Sequence, residues 1–138
     1  MTIKNRREAL TQLQAEVDVV IIGGGQAALA TAYFLKRKKI PFIILDDQSQ
    51  AGGAWSHAWE SLRLFSPNTW SSLSGWMMPT TEQTYPTRNE VIDYLSAYEQ
   101  RYQFPIIRPV HVDHIEQKDG YLDVYAGEQY WRAKAVVS

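Results

Sequence analysis

Val17-Asp18-Val19-Val20-Ile21-Ile22-Gly23-Gly24-Gly25-Gln26-Ala27-Ala28 decides how this chain is read. An apolar, β-branched run ends in three glycines, and small residues at helical spacing follow. That is the pattern of a strand, a tight turn and a helix that together hold a diphosphate. Gly23 lets the chain turn sharply out of the strand. Gly25 has no side chain, so a phosphate can approach the backbone. Ala28 fills the third position of the G-x-G-x-x-G/A pattern and is small enough for the helix to pack closely on the strand. The unpaired N–H groups of the first helical turn, which opens with Gln26 and Ala27, face the ligand, and the helix dipole favours its negative charge. One exposed charge gains only about 0.3–1 kcal/mol from that dipole. Several backbone hydrogen bonds and burial of a large ligand must supply the rest.

The context strengthens the motif. Gln26 to Lys38 places Leu29, Ala32, Tyr33 and Leu35 near one face of a helix. Lys36, Arg37, Lys38 and Lys39 sit at its C-terminal end, where the dipole favours cations. Pro41 is expected to stop the helix. Phe42-Ile43-Ile44-Leu45 then reads as a short buried strand ending at Asp46. A carboxylate there, about 20 residues past the glycines, can accept hydrogen bonds from ribose hydroxyls. Asp47, one step further into the loop, is its rival. Gly52-Gly53-Ala54-Trp55 comes next: two glycines permit a backbone path close to a ligand, and Trp55 can wall a pocket. From Ser56 to Trp76, aromatics such as Trp59 and Trp70 alternate with small polar residues. This segment reads as a long ordered loop, a class that is usually functional.

Composition narrows the function. The chain has 138 residues, 45% hydrophobic, with a formal net charge of -1. Near-neutral charge argues against a nucleic-acid binder, and no apolar stretch reaches the roughly 18 residues of a membrane-spanning helix. A cytoplasmic location is the default. There are no cysteines, which excludes disulfides, cysteine metal sites and a redox dithiol within this chain. His57, His111 and His114 are not spaced as metal ligands, and His111 and His114 are expected on opposite faces of one strand.

Thr87-Arg88-Asn89-Glu90 is a capping box before a helix whose core face is Val91, Leu95, Tyr98 and Tyr102. Val110 to Glu116 reads as a strand with Val110, Val112 and Ile115 inward. Lys118-Asp119-Gly120 turns the chain into Tyr121–Tyr125, and Gly127-Glu128 turns it into Gln129–Ala133. These make a β-meander, followed by the start of another strand at Ala135-Val136-Val137-Ser138. Residues 1–16 are polar, with Ile3, Leu10 and Leu13 spaced as a short amphipathic helix. The expected organisation is an N-terminal extension, 1–16, before an α/β Rossmann-like domain, 17–138, with a parallel sheet and a βαβ start.

The glycine turn, Asp46 and Gly52-Gly53-Ala54-Trp55 together resemble the FAD-binding half of flavin-containing monooxygenases. The run Trp59-Glu60-Ser61-Leu62-Arg63-Leu64-Phe65-Ser66-Pro67, with Tyr85-Pro86-Thr87-Arg88, is similar to the small bacterial branch associated with arsenic-resistance operons. The resemblance covers about Val17 to Ser138. It implies that Gly23, Gly25 and Ala28 hold the FAD diphosphate and that Asp46 binds the adenosine ribose. Gly52, Gly53 and Trp55 would then lie near the flavin, with a main-chain contact to adenine at Val112. Many relatives carry Glu and a basic residue where this chain has Asp46 and Asp47.

The resemblance further implies an NAD(P)H-dependent oxidoreductase of the monooxygenase type that oxygenates a soft nucleophile, with NADPH expected only for a complete member. No second G-x-G-x-x-G/A occurs here. The chain is therefore expected to be a truncated FAD-binding part without the NADPH domain: an interrupted gene product, a deliberately cut piece or one half of a split protein. Its expected partners are FAD and either a missing C-terminal half or another copy of itself. No catalytic residue is singled out; Arg63 reads as a flavin or substrate contact or as an ordinary surface arginine. Two other readings fit parts of the pattern: an NAD(P)-binding module or sensor subunit without catalysis, and a remnant that binds nothing well. The GG-x-W turn favours FAD over NAD.

Overall fold

The computed structural model describes residues 11–53, 73, 75–76 and 87–138. The long apolar run becomes β1 (Gln12–Ile22), and the residues after the glycines become helix α1 (Gln26–Arg37). Strand β2 (Phe42–Leu45) is buried along its whole length, as expected of a strand covered on both faces. Helix α2 (Arg88–Tyr102) leads into β3 (Ile106–Ile107), β4 (His114–Lys118), β5 (Tyr121–Ala126) and β6 (Gln129–Val137).

These strands form one sheet in the order β3-β2-β1-β6-β5-β4. β3, β2, β1 and β6 run parallel, while β5 and β4 continue antiparallel. The fold is α/β, and its sheet is mixed. From β1 the chain steps outward through β2 to β3, then returns to β6 on the other side of β1. The order reverses between β1 and β6, and ligands of open α/β sheets bind outside the strand ends at such a point.

Two apolar clusters hold the layers. On one face, Ile21, Phe42 and Ile44 pack with Leu29 and Ala32 of α1 and with Val91, Tyr94, Leu95 and Tyr98 of α2. On the other, Val20, Ile43 and Leu45 meet Val124, Trp131 and Ala133 of the meander. Helix α2 starts as its sequence requires: the Thr87 side chain accepts from the Glu90 N–H at 3.2 Å, and the Glu90 carboxylate accepts from the Thr87 N–H at 3.3 Å. Trp76 is partly buried and packs against this core, stacked on Tyr94 with ring centroids 5.2 Å apart.

Several expectations are corrected. Leu13 lies in β1 and is 45% exposed, so no helix runs through it; Ile3 and Leu10 lie outside the described residues. The polar start of β1 is extended because it pairs with β6, Gln12 opposite Gln129. Helix α1 ends before Pro41 acts: Lys39 takes a left-handed φ of 59°. The strand expected over 110–116 begins only at His114; the chain between Pro109 and β4 is irregular. His111 and His114 therefore do not share a strand. Ile115 is 42% exposed, since β4 is the sheet's outer edge. The third meander strand and the apolar start at Ala135 are one continuous strand, β6. No helix among the described residues is long and apolar enough to cross a membrane.

Candidate functional site

The glycine turn opens where the strand order reverses. A cleft of about 320 Å³ is lined by Gly23, Gly25, Gln26, Ala27 and Ala28, with Val137 and Ser138 at the end of β6 opposite. Five of the expected contact residues thus share one concavity. Gly23 has φ +111°, a conformation that side chains rarely tolerate, and its N–H still donates to the Leu45 carbonyl at 2.8 Å. Gly25 is the N-cap of α1, with no side-chain cap and no acidic residue in the first turn. The unpaired N–H groups there are left for a ligand. Among the described residues, a Cβ built on Gly25 meets no atom within 4 Å, so the space over it is open there.

Gly24 faces the other way. A Cβ on it would overlap the Asp46 carboxylate and lie 3.1 Å from Nη2 of Arg108. Asp46 stands at the end of β2 as expected, but it is only 1% exposed and already engaged. Its Oδ2 accepts from Arg108 Nε at 2.9 Å and its Oδ1 from the Gln48 N–H at 3.2 Å. Arg108 Nη2 in turn lies 2.7 Å from Glu99 Oε1. Asp47 is half exposed, 4.0 Å from His111 Nδ1.

In the second glycine pair, Gly53 allows a close approach of two main chains. Gly53, at φ +52°, lies against the turn itself: a Cβ there would come within 2.7 Å of the Gly25 Cα. Gly52 packs against Ile92 of α2. Val112 is half-buried and packs against the rear cluster between β3 and β4. Trp55, Arg63, Trp59 and Trp70 lie outside the described residues.

Gly24, Glu99 and Arg108 escaped the sequence reading. A signal existed for Arg108. Like Phe42–Leu45, Ile106-Ile107 is a short apolar run ending in a charge, and Leu45 pairs with Ile107 in parallel register. Adjacent strand ends of opposite charge invite pairing.

Two carboxylates share one guanidinium here. Burial pushes the Glu99 carboxyl above its usual range, the hydrogen bond and charge of Arg108 pull it back, and the Asp46 charge pushes it up again. The folded state therefore holds the Glu99 proton more tightly than the unfolded chain does. This contribution to stability is complete below the ordinary value of 4.5 and is lost as pH rises through the raised value. Glu99→Gln, which stays neutral, is expected to gain melting temperature relative to the parent between about pH 4 and about pH 7. An identical difference at both pH values would contradict this.

Comparison with known proteins agrees with this geometry. Residues 20–138 match the family described as "Pyridine nucleotide-disulphide oxidoreductase". A CzcO-like oxidoreductase of Geobacillus kaustophilus, itself uncharacterized, is 35% identical over 91% of this chain and 36% of its own length. The flavin-containing monooxygenase of Stenotrophomonas maltophilia superposes with a TM-score of 0.86 at 48% identity, over 89% of this chain and 38% of that one. A bacillithiol disulfide reductase of Staphylococcus aureus has the same fold, with a TM-score of 0.80 at 18% identity. The chain spans a little over a third of the length of these relatives.

Proposed function

The chain belongs to the pyridine nucleotide-disulphide oxidoreductase family, and from that membership we propose that its glycine turn holds the diphosphate of FAD, as part of an NAD(P)H-dependent flavin monooxygenase-type oxidoreductase. The observation that carries the reading is the bare main chain at Gly25, open to a cleft at the strand-order reversal. The 48% identity to a flavin-containing monooxygenase supports flavin over a nicotinamide nucleotide alone.

In this reading the N–H groups after Gly25 bind the diphosphate, and the positive end of α1 favours its charge. Asp46 accepts from the adenosine ribose. An ionised carboxylate has about four acceptor positions, and hydrogen bonds to Arg108 and Gln48 use two of them. Val112 offers a main-chain contact to adenine, and Gly52, Gly53 and Trp55 lie toward the flavin. FAD, when bound, supplies the redox chemistry; the protein orients it and excludes water. A C-terminal half or a second copy of the chain completes the site, in the cytoplasm.

Titration of the purified chain tests this. FAD is expected to bind with quenching of its fluorescence, and ADP, which carries the same diphosphate and ribose, to compete. FMN, which lacks them, is expected not to compete. Binding of NADPH without binding of FAD would overturn the assignment.

A further inference from the structure

The charges beneath the glycine turn carry a further inference, which rests on the nucleotide reading above. β2 and β3 end side by side, with Leu45 opposite Ile107, so Asp46 and Arg108 leave the sheet together. The Arg108 fork reaches two carboxylates from different elements. Nε binds Asp46 Oδ2 at 2.9 Å, and Nη2 lies 2.7 Å and 3.1 Å from the two Glu99 oxygens on α2. The Asp46 side chain is 2% exposed and that of Arg108 18%. The remaining face of the arginine lines a second cleft of about 440 Å³, with Gln50, Ile92 and Ser96.

Gly24 closes the arrangement from above. Any side chain there would strike the Asp46 carboxylate and press on Arg108. The path of the glycine turn and the orientation of the acid therefore fix each other. Stability alone explains this poorly. Buried ion pairs often contribute little net stability compared with apolar packing, and this cluster keeps one more carboxylate than its arginine can neutralise. What the cluster does provide is direction. A free Asp rotates about two bonds; this one is pinned at both oxygens, with its remaining acceptor positions set relative to Gly23–Gly25.

We propose that Arg108 is a positioning residue of the nucleotide site: braced by Glu99, it holds the Asp46 carboxylate in one orientation against Gly24, and so sets how strongly the site distinguishes a complete ribose from one lacking a hydroxyl. Asp46 is short, and the arginine brace fixes where its carboxylate stands.

The test uses the full chain and Arg108→Lys, which keeps the charge but replaces the planar fork with a point charge that cannot hold both acids in the same way. Dissociation constants are measured for ADP, 2′-deoxy-ADP and 3′-deoxy-ADP. The parent is expected to prefer ADP over at least one deoxy analogue by about tenfold, the scale of one hydrogen bond to a charged group. In Arg108→Lys that preference is expected to fall to within about twofold, with Glu99→Gln intermediate. An unchanged preference in Arg108→Lys overturns the proposal. So does a loss of affinity for all three ligands by a common factor, which marks a merely structural arginine.

If the parent binds neither FAD nor ADP, the nucleotide reading fails instead. The brace itself is then judged by amide hydrogen exchange at Gly24 and Gly25. Faster exchange in Arg108→Lys upholds it, and unchanged exchange removes it.

Discussion

Gly25→Val is expected to lower FAD affinity by at least about a hundredfold, roughly 2.7 kcal/mol, while leaving the fold intact. Both halves of this expectation come from the same geometry. Gly25 sits at φ −85°, ψ −168°, a backbone that any residue adopts, and a Cβ there meets no atom of the described residues within 4 Å. The Cβ position is thus free among the described residues, and the valine methyl groups extend from it. They occupy the space into which a diphosphate must come to reach the N–H groups at the head of α1. Circular dichroism and the melting temperature should match the parent, while FAD titration shows little or no binding. Undiminished FAD affinity in this variant would place the cofactor elsewhere. Gly53→Ala is the instructive contrast, because its Cβ would press on the Gly25 backbone and disturb turn and ligand site together.

Trp131→Ala is expected to produce the largest loss of stability, about 3–5 kcal/mol. That is a large share of the roughly 5–15 kcal/mol that holds a typical domain together. Trp131 is 2% exposed. It lies opposite Ala15 of β1 on one side and Val124 of β5 on the other, and it fills the cluster behind the parallel strands. Its indole N–H has no hydrogen-bond partner among the described residues, so part of the cost of burying it disappears in any apolar replacement, and Trp131→Phe should lose less. Urea unfolding should show a lower midpoint with an unchanged slope. The folded fraction should still bind FAD, since Trp131 does not line the glycine cleft. An unaltered midpoint would mean that the rear cluster is not packed as described.

Local chemistry made much of the architecture legible. The apolar run into Gly23–Gly25, the buried Phe42–Leu45 strand and the Thr87–Glu90 capping box each carry their structure in a few adjacent residues, and each appears in place. The features that escaped depend on partners distant in sequence. Gln12 to Glu16 belongs to a polar stretch with the spacing of a short amphipathic helix, yet it is extended because it pairs with β6. Ile115 follows an inward-facing pattern, yet it lies on an edge strand with nothing over it. Nothing near Asp46 in sequence announces its contact with Arg108, or the reach of that arginine to Glu99. Nothing near Gly53 announces its close approach to Gly25, nearly thirty positions earlier.

The continuity of β6 has a consequence for how the molecule is made. Its residues pair with β1 from Gln129 opposite Gln12 to Val137 opposite Ile21, and the same strand seals the meander through Trp131 and Val124. During synthesis β1 leaves the ribosome long before β6, its partner on that side. In the interval an apolar edge stands unpaired, the kind of edge that recruits wrong partners. Closing it joins strands more than a hundred positions apart, a pairing so distant in sequence that it slows folding. A nascent chain lacking residues 129–137 is thus an open sheet whose nucleotide cleft has lost one wall.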